Sequence, residues 1–276
     1  MWYNQVNYLS CAKARRTETL YELYTYGIFG YYVRDMEPCT TLFLMTALST
    51  LLLIAVGYLL GSINTSIIVS KLFFGEDVRN YGSGNAGATN VLRTYGKKLA
   101  AMTLLGDVLK TVVAIIIGRF IGLPLEELNY VWVSDTTYYT VSMAGYITAL
   151  FTVIGHTFPI YYKFKGGKGV LCAATAIAML SPVTFVVLFV IFLILVIGTK
   201  FVSLGSVIGV MAYPVLLHKI EGAGARTIVA CLIAALVVYN HRSNLKRLFE
   251  GTENKISIGK KDKKTDREDT EDGEEQ

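Results

Sequence analysis

Apolar residues in this chain come in long unbroken runs, not in the alternating or one-faced patterns of soluble strands and helices. Val183–Ile197 contains no charged residue at all. Similar runs lie at about 42–72, 99–121, 138–159, 168–180, 182–198, 202–217 and 226–240. A bilayer core requires about 20 apolar residues per spanning helix. Continuous runs also exclude the short alternating strands of a membrane barrel. The pattern predicts an all-α integral membrane protein with about seven transmembrane helices. Several runs are short, so tilted, half-spanning or merged helices are expected among them.

The ends read differently. Residues 1–41 are polar and tyrosine-rich, without a signal-peptide pattern, and are expected to form an N-terminal extension. Residues 42–256 form the helical membrane domain. Residues 257–276, with the mixed-charge run KKDKKTDREDTEDGEEQ, are expected to be a disordered tail.

Composition agrees with the pattern: 53% of the 276 residues are hydrophobic, and the mean hydropathy is +0.46. The net charge of +5 mainly reports topology. Seven spans put the termini on opposite sides. One side then collects Lys71, Arg79, Arg93, Lys97, Lys98, Lys163, Lys165, Lys168, Lys200, Arg242, Lys246, Arg247 and Lys255, the other only Lys219 and Arg226. The positive-inside rule makes the first side cytoplasmic, with the N-terminus outside and the C-terminus cytoplasmic. Arg34 dissents by lying outside near the first span. A native start at Met45 would remove the conflict, and N-terminal sequencing of the mature protein checks it.

Cys172 and Cys231 fall inside apolar runs, where small buried hydrophobes are expected. Nothing requires Cys11 and Cys39 to pair. No Cys/His or carboxylate cluster points to a metal, and no cofactor or nucleic-acid partner is expected.

Three polar segments break the apolar pattern, all on the expected cytoplasmic side. The first is GSGNAGATNVLR, Gly82–Arg93. Gly82, Gly84 and Gly87 permit left-handed backbone and close approach to a ligand. Successive N–H groups in such a loop cradle anions. Ser83, Asn85, Thr89 and Asn90 offer neutral hydrogen bonds, and Arg93 offers a forked cation. A flexible loop or a glycine packing seam between helices is the plainer account.

The second segment is GHTFPIYYKFKGGKGV, Gly155–Val170. Lys163, Lys165 and Lys168 interleave with Gly166, Gly167 and Gly169, and an apolar helix starts at once. The free N–H groups of that helix start favour an anion. It is not a Walker loop, because Gly169 stands where Ser or Thr is required. A basic juxtamembrane loop that sets topology is the alternative.

The third is YNHRSNLKRLFEGTEN, Tyr239–Asn254. His241 and Asn244, at i and i+3, share a helix face. A basic amphipathic stub at the headgroups also fits. Within the spans, Asp107 and Lys110 stand at i and i+3, where a structural ion pair is expected because charges in lipid need partners. Ser203 opens the sixth run and serves either a bound phosphate or the helix cap.

Absent patterns narrow the chemistry. The chain lacks a Gly-x-Ser-x-Gly elbow. None of His156, His218 and His241 begins a His-x4-Asp pattern. Cations, amides, hydroxyls and backbone dipoles remain, and these hold and stabilise anions.

Taken in order, spacing and membrane side, GSGNAGATNVLR, GHTFPIYYKFKGGKGV and HRSNLKRLFEGTENKI resemble the three signature motifs of the bacterial acyl-phosphate-dependent glycerol-3-phosphate acyltransferases. The resemblance covers about Leu51–Ile256. It implies a seven-helix enzyme of the bacterial inner membrane, with its site on the cytoplasmic side. The implied reaction moves a fatty acyl group from acyl phosphate to the 1-hydroxyl of sn-glycerol 3-phosphate. It yields lysophosphatidate and phosphate for phospholipid synthesis.

Carried over by position, Ser83 and Arg93 match the essential serine and arginine of the first motif. Gly166, Gly167, Lys168 and Gly169 match the glycerol-3-phosphate loop of the second. His241 and Asn244 match the polar pair of the third, with Glu253 a structural glutamate and Ser203 a pocket serine. The expected catalytic set is Ser83, Arg93, Lys168, His241 and Asn244, with Glu253 and Asp107 structural. The expected substrate-binding set is Gly82, Gly84, Asn85, Gly87, Thr89, Asn90, Gly166, Gly167, Gly169 and Ser203. Acyl phosphate is already activated, so no protein nucleophile is needed. The proton of the attacking hydroxyl goes to His241 or to the substrate's own phosphate. The phosphate is preferred, because no carboxylate is apparent to orient the histidine. A transporter for a phosphorylated metabolite would place its site near the midplane between repeated halves, and no repeat is visible. A non-catalytic scaffold leaves the glycine loops unexplained. Oligomeric state and acyl-chain preference are open.

Overall fold

The computed structural model describes residues 38–122, 143–222 and 224–256. The expected extension up to residue 37 and the expected tail from 257 lie outside the described residues, as do Cys11 and Arg34. Among the described residues all regular structure is helical. The helices are α1 (Pro38–Ser62), α2 (Thr65–Phe74), α3 (Ala88–Tyr95), α4 (Lys97–Ile121), α5 (Met143–Thr157), α6 (Val170–Leu180), α7 (Pro182–Thr199), α8 (Val202–Glu221), α9 (Ala225–Asn240) and α10 (Arg242–Phe249). Short 3-10 turns lie at Val78–Asn80 and Ile160–Tyr162.

Within the described residues each of the seven predicted apolar runs contains a helix, but they are not seven equal spans. Among the described residues, five helices are long and apolar enough to cross a bilayer, with Thr46–Phe74 taken as one. The bent pair α9–α10, turning by 57°, brings the count to six. Helix α6 has only 11 residues, too few to cross alone at 1.5 Å per residue. The first run is also broken. Helix α1 stops at Ser62 and α2 restarts behind Asn64, whose side chain accepts the Ile67 N–H at 3.3 Å.

Helices α1 and α5 approach backbone to backbone. A methyl group added to Gly57 would come within 2.6 Å of the Thr148 carbonyl, and one on Gly155 within 2.9 Å of the Ser62 nitrogen. One on Gly61 would meet the Thr152 carbonyl. A glycine packing seam thus lies at Gly57-x-x-x-Gly61, where small residues let membrane helices close on one another.

Two buried clusters result. The larger joins α4 to α9 around Ile115, Tyr146, Val153, Cys172, Tyr213 and Ile233. The smaller one, Ile67, Val69, Val78, Ala86, Val91, Leu99 and Ala100, sits directly beneath the first glycine loop. Helix α7 turns Val183, Val186, Ile194 and Ile197 outward, as a lipid-facing helix does. Cys172 is buried as expected, but Cys231 is exposed on the outer face of α9. Periodicity decides this: Val229, Ala230, Ile233 and Ala234 take the inward face and leave Cys231 outside it.

Candidate active site

The three polar segments expected on one membrane side meet at one end of the bundle. In the first loop the 3-10 turn is capped by Asp77, which accepts the Arg79 N–H at 3.0 Å. Gly82 and Gly84 take the left-handed conformation, with φ of +58° and +69°. Asn90 closes the loop. Its Nδ2 donates to the carbonyls of Val78 and Tyr81 at 3.0 Å each, and its Oδ1 accepts the Ser83 N–H at 2.9 Å. Asn90 was expected among the substrate ligands, but its amide is buried and fully engaged. It belongs to the frame of the loop. Ser83, Thr89 and Arg93 are exposed, and Asn85 is half-buried. Arg93 makes no hydrogen bond or ion pair among the described residues, yet it lies close enough to Lys168 to disfavour its charge.

The second loop folds back onto α5. The Gly166 N–H donates to the Thr157 carbonyl at 3.0 Å, and the Gly167 N–H to the His156 carbonyl at 3.1 Å. These two donors, expected to face an anion, are spent on closing the loop. Gly169 has φ of +82° and starts α6. Neither Gly87 before α3 nor Gly169 before α6 supplies a side-chain cap. In α3 the Asn90 N–H turns back to the Gly87 carbonyl at 2.9 Å; the other first-turn N–H groups of the two helices are left for an outside acceptor. The two loops touch where Gly167 passes the first loop: a methyl group there would come within 2.6 Å of the Ala86 carbonyl.

Arg79 locks the two loops together. Its Nε and Nη2 bind Asp77 at 2.9 and 2.7 Å, while Nη1 donates to the carbonyls of Tyr162 at 2.9 Å and Lys165 at 2.8 Å. The Arg79 side chain beside it holds the Asp77 carboxyl below the ordinary range. In the sequence, Asp77-Val78-Arg79 opens the first polar segment, and Arg79 also counts among its cytoplasmic cations. The Asp-x-Arg spacing was its one visible signal.

The third segment closes the site. Lys168 Nζ donates to Asn244 Oδ1. Asn244 Nδ2 donates to Glu253 Oε1 at 2.6 Å, and Ser203 Oγ donates to the same oxygen at 2.8 Å. Arg247 Nε binds the other oxygen at 2.7 Å. Ser203 is therefore neither a helix cap, a position held by Phe201, nor a free donor. Arg247, a cation of the basic amphipathic stretch, anchors Glu253. Burial pushes the Lys168 ammonium down to about 8, against the pull of Glu253.

His241 lies at the bend between α9 and α10 instead of within one helix, and both it and Asn244 point inward and are buried. Its Nδ1 stands 2.7 Å from the Val237 carbonyl. A carbonyl only accepts, so Nδ1 carries the proton and Nε2 the lone pair.

Asp107 lies below this cluster. It pairs with Lys110 at 2.8 Å, and both are buried within the helix bundle. Lys110 also reaches the carbonyl of Ile63, freed by the α1–α2 break, at 2.6 Å, and Nδ1 of His156 at 2.9 Å. Among the described residues no group of His, Cys, Asp and Glu is arranged to hold a metal.

The chain is similar to known proteins. The family model described as glycerol-3-phosphate acyltransferase matches residues 51–251. A glycerol-3-phosphate acyltransferase of Clostridioides difficile is 44% identical over 212 residues, covering 77% of this chain and 98% of the relative. One from Geotalea daltonii is 39% identical over 206 residues, 75% of this chain and 97% of the relative. The crystal structure of PlsY, an integral membrane glycerol 3-phosphate acyltransferase, in its glycerol 3-phosphate form superposes with a TM-score of 0.65. It is 33% identical and covers 76% of this chain and 96% of that one. The lysophosphatidic acid form gives a TM-score of 0.63. With the match running through all three polar segments and the membrane helices that hold them, the chain belongs to the family of integral membrane glycerol-3-phosphate acyltransferases.

Proposed function

We propose that this chain transfers a fatty acyl group from acyl phosphate to the 1-hydroxyl of glycerol 3-phosphate, at the cytoplasmic face of a bacterial inner membrane. One observation carries the reading: two glycine loops, each leading into an uncapped helix start, touch at Gly167 and Ala86 beside the Lys168–Asn244–Glu253 chain. Two phosphate-bearing substrates need two anion sites side by side, and this end of the bundle offers them.

In this reading the first loop, with Ser83, Thr89 and Arg93, holds one phosphate. Lys168 and the start of α6 hold the other. The acyl chain stays among the lipid tails while its head enters from the aqueous side. His241 Nε2, its lone pair aimed by the Val237 carbonyl, accepts a hydrogen bond from the attacking hydroxyl. That carbonyl does the orienting for which the sequence offered no carboxylate. The C–O bond to the glycerol oxygen forms and the acyl–O–phosphate bond breaks. The hydroxyl proton ends on the departing phosphate, so charge balances without a covalent enzyme intermediate. Positioned donors and an excluded-water site supply the acceleration.

The test uses purified protein in detergent with labelled glycerol 3-phosphate and, in parallel, acyl phosphate or acyl-CoA. Labelled lysophosphatidate from acyl phosphate alone is expected. Product from acyl-CoA alone overturns the donor, and no product from either overturns the enzyme reading.

A further inference from the structure

The Asp107–Lys110–His156 group plays no part in the chemistry above, yet it lies directly below it. Lys110 Nζ has three close partners: the Ile63 carbonyl at 2.6 Å, Asp107 Oδ1 at 2.8 Å and His156 Nδ1 at 2.9 Å. A lysine ammonium has three hydrogens and no lone pair. Three partners use all three hydrogens, so His156 Nδ1 accepts and the imidazole proton sits on Nε2. Thr65 Oγ1 donates to Asp107 Oδ1 at 3.2 Å, which fixes that carboxylate in turn.

His156 Nε2 lies against Gly167, since a methyl group added to Gly167 would collide with it. The same methyl group would strike the Ala86 carbonyl of the first loop. The Nε2–H thus faces the point where the two glycine loops meet. The main chain of His156 grips the same residue, accepting the Gly167 N–H at 3.1 Å. His241 is locked the other way, with the proton on Nδ1. The two buried histidines of this end therefore hold opposite tautomers, each fixed by a different partner.

A buried ion pair is poor stabilisation, because desolvation cancels most of its attraction and apolar packing serves as well. Inside a membrane its cost is higher still. A pair that aims one imidazole at one loop junction has a use that packing cannot supply.

We propose that His156 is a positioning residue for acyl transfer: Lys110, held by Asp107, fixes its Nε2–H toward Gly167 and Ala86, and so sets the spacing of the two anion loops. The proposal rests on the acyltransferase reading, but one of its tests does not depend on activity.

Histidine-labelled ¹⁵N protein in detergent micelles reports each tautomer, with the His156 signals assigned by their loss in His156→Gln. A pyridine-type Nδ1 and a pyrrole-type Nε2 are expected for His156. The reverse assignment, or a rapidly averaging mixture, overturns the proposal. Kinetics supply the second test. The double variant Asp107→Asn/Lys110→Met removes both charges at once and leaves neither orphaned. It also takes the donor from the Ile63 carbonyl and His156 Nδ1, so its thermal midpoint should fall somewhat; assayed well below that midpoint, kcat/KM should fall about 10- to 100-fold, as for loss of a group that orients a functional loop. His156→Gln, which keeps a donor near Nε2, should retain most of the rate that His156→Ala loses. Adding Asp107→Asn/Lys110→Met to His156→Ala should cost nothing further. Wild-type kcat/KM in the double variant, or losses that multiply, overturn the proposal. A wild-type protein that forms no product would instead sink the acyltransferase reading and leave the tautomer test standing.

Discussion

Lys168 and Asn244 are joined directly, the lysine Nζ donating to Oδ1 of the amide, whose Nδ2 passes on to Glu253 at 2.6 Å. The residues are 76 positions apart in the chain. Lys168 rides on a glycine loop and Asn244 on α10, so the bond ties the second polar segment to the third. Lys168→Ala should lower kcat by about 100-fold or more, as for removal of a buried donor to a developing anion. Asn244→Ala leaves the cation in place but unaimed, and kcat/KM should fall about 10- to 100-fold. Steady-state assays on detergent-purified variants check both. Equal rates in all three proteins would rule out this pair as the working centre.

The pH dependence follows from burial of Lys168, which pushes its ammonium down to about 8. Below that pH the empty site presents a cation to the incoming phosphate; above it the amine is neutral and the attraction is lost. The limb belongs to the free enzyme, so it appears in kcat/KM. kcat/KM for glycerol 3-phosphate should therefore decline as pH rises through about 8. In Lys168→Arg the guanidinium stays charged, and whatever activity remains should not show that decline. A wild-type profile that stays flat through this range would contradict the assignment.

Glu253 makes a prediction about stability. Burial works against its ionisation, but hydrogen bonds from Asn244, Arg247 and Ser203 outweigh it and hold the carboxyl below the ordinary glutamate value of 4.5. A carboxyl lowered in the folded state contributes stability above its unfolded pKa and loses it as pH falls through the folded value. The thermal midpoint in detergent should drop on acidification below about 4.5, the value of the unshifted group. Glu253→Gln should cost about 1–3 kcal/mol at neutral pH, because one accepting oxygen becomes a donor facing other donors. Its midpoint should then vary less with acid than that of the wild type.

Arg79 makes a prediction about the loops. Its guanidinium holds Asp77 on one edge and the carbonyls of Tyr162 and Lys165 on the other. Arg79→Ala should cost about 1–3 kcal/mol of stability by leaving these acceptors unpaired. It should also raise KM for both substrates, since neither loop is then referred to the other. Arg79→Lys should not rescue it, because a point ammonium cannot span both sets of acceptors. Thermal melts and KM values on the same preparations measure the two effects together.

The sequence by itself determined the material of this protein. Unbroken apolar runs predicted helices wherever the structure has its long ones, because a lipid-facing helix must be apolar along its whole length. The three polar segments stood out for the same reason: lysine, arginine and clustered amides and hydroxyls are costly in that background unless they have partners. The Asp107–Lys110 pair was also legible, since a three-residue spacing admits a contact on one helix. Tertiary structure alone decided which groups remain free for a ligand. Asn90, Ser203, Gly166 and Gly167 carry the same donors and acceptors in either case, and only the fold spends them on internal bonds. It alone broke the first run at Ile63, freeing the carbonyl that Lys110 takes. It alone brought Arg79 to Lys165 and Lys168 to Asn244. Periodicity is a local property set by each helix and its solvent, whereas hydrogen-bond partners far apart in the chain are fixed only when the helices pack.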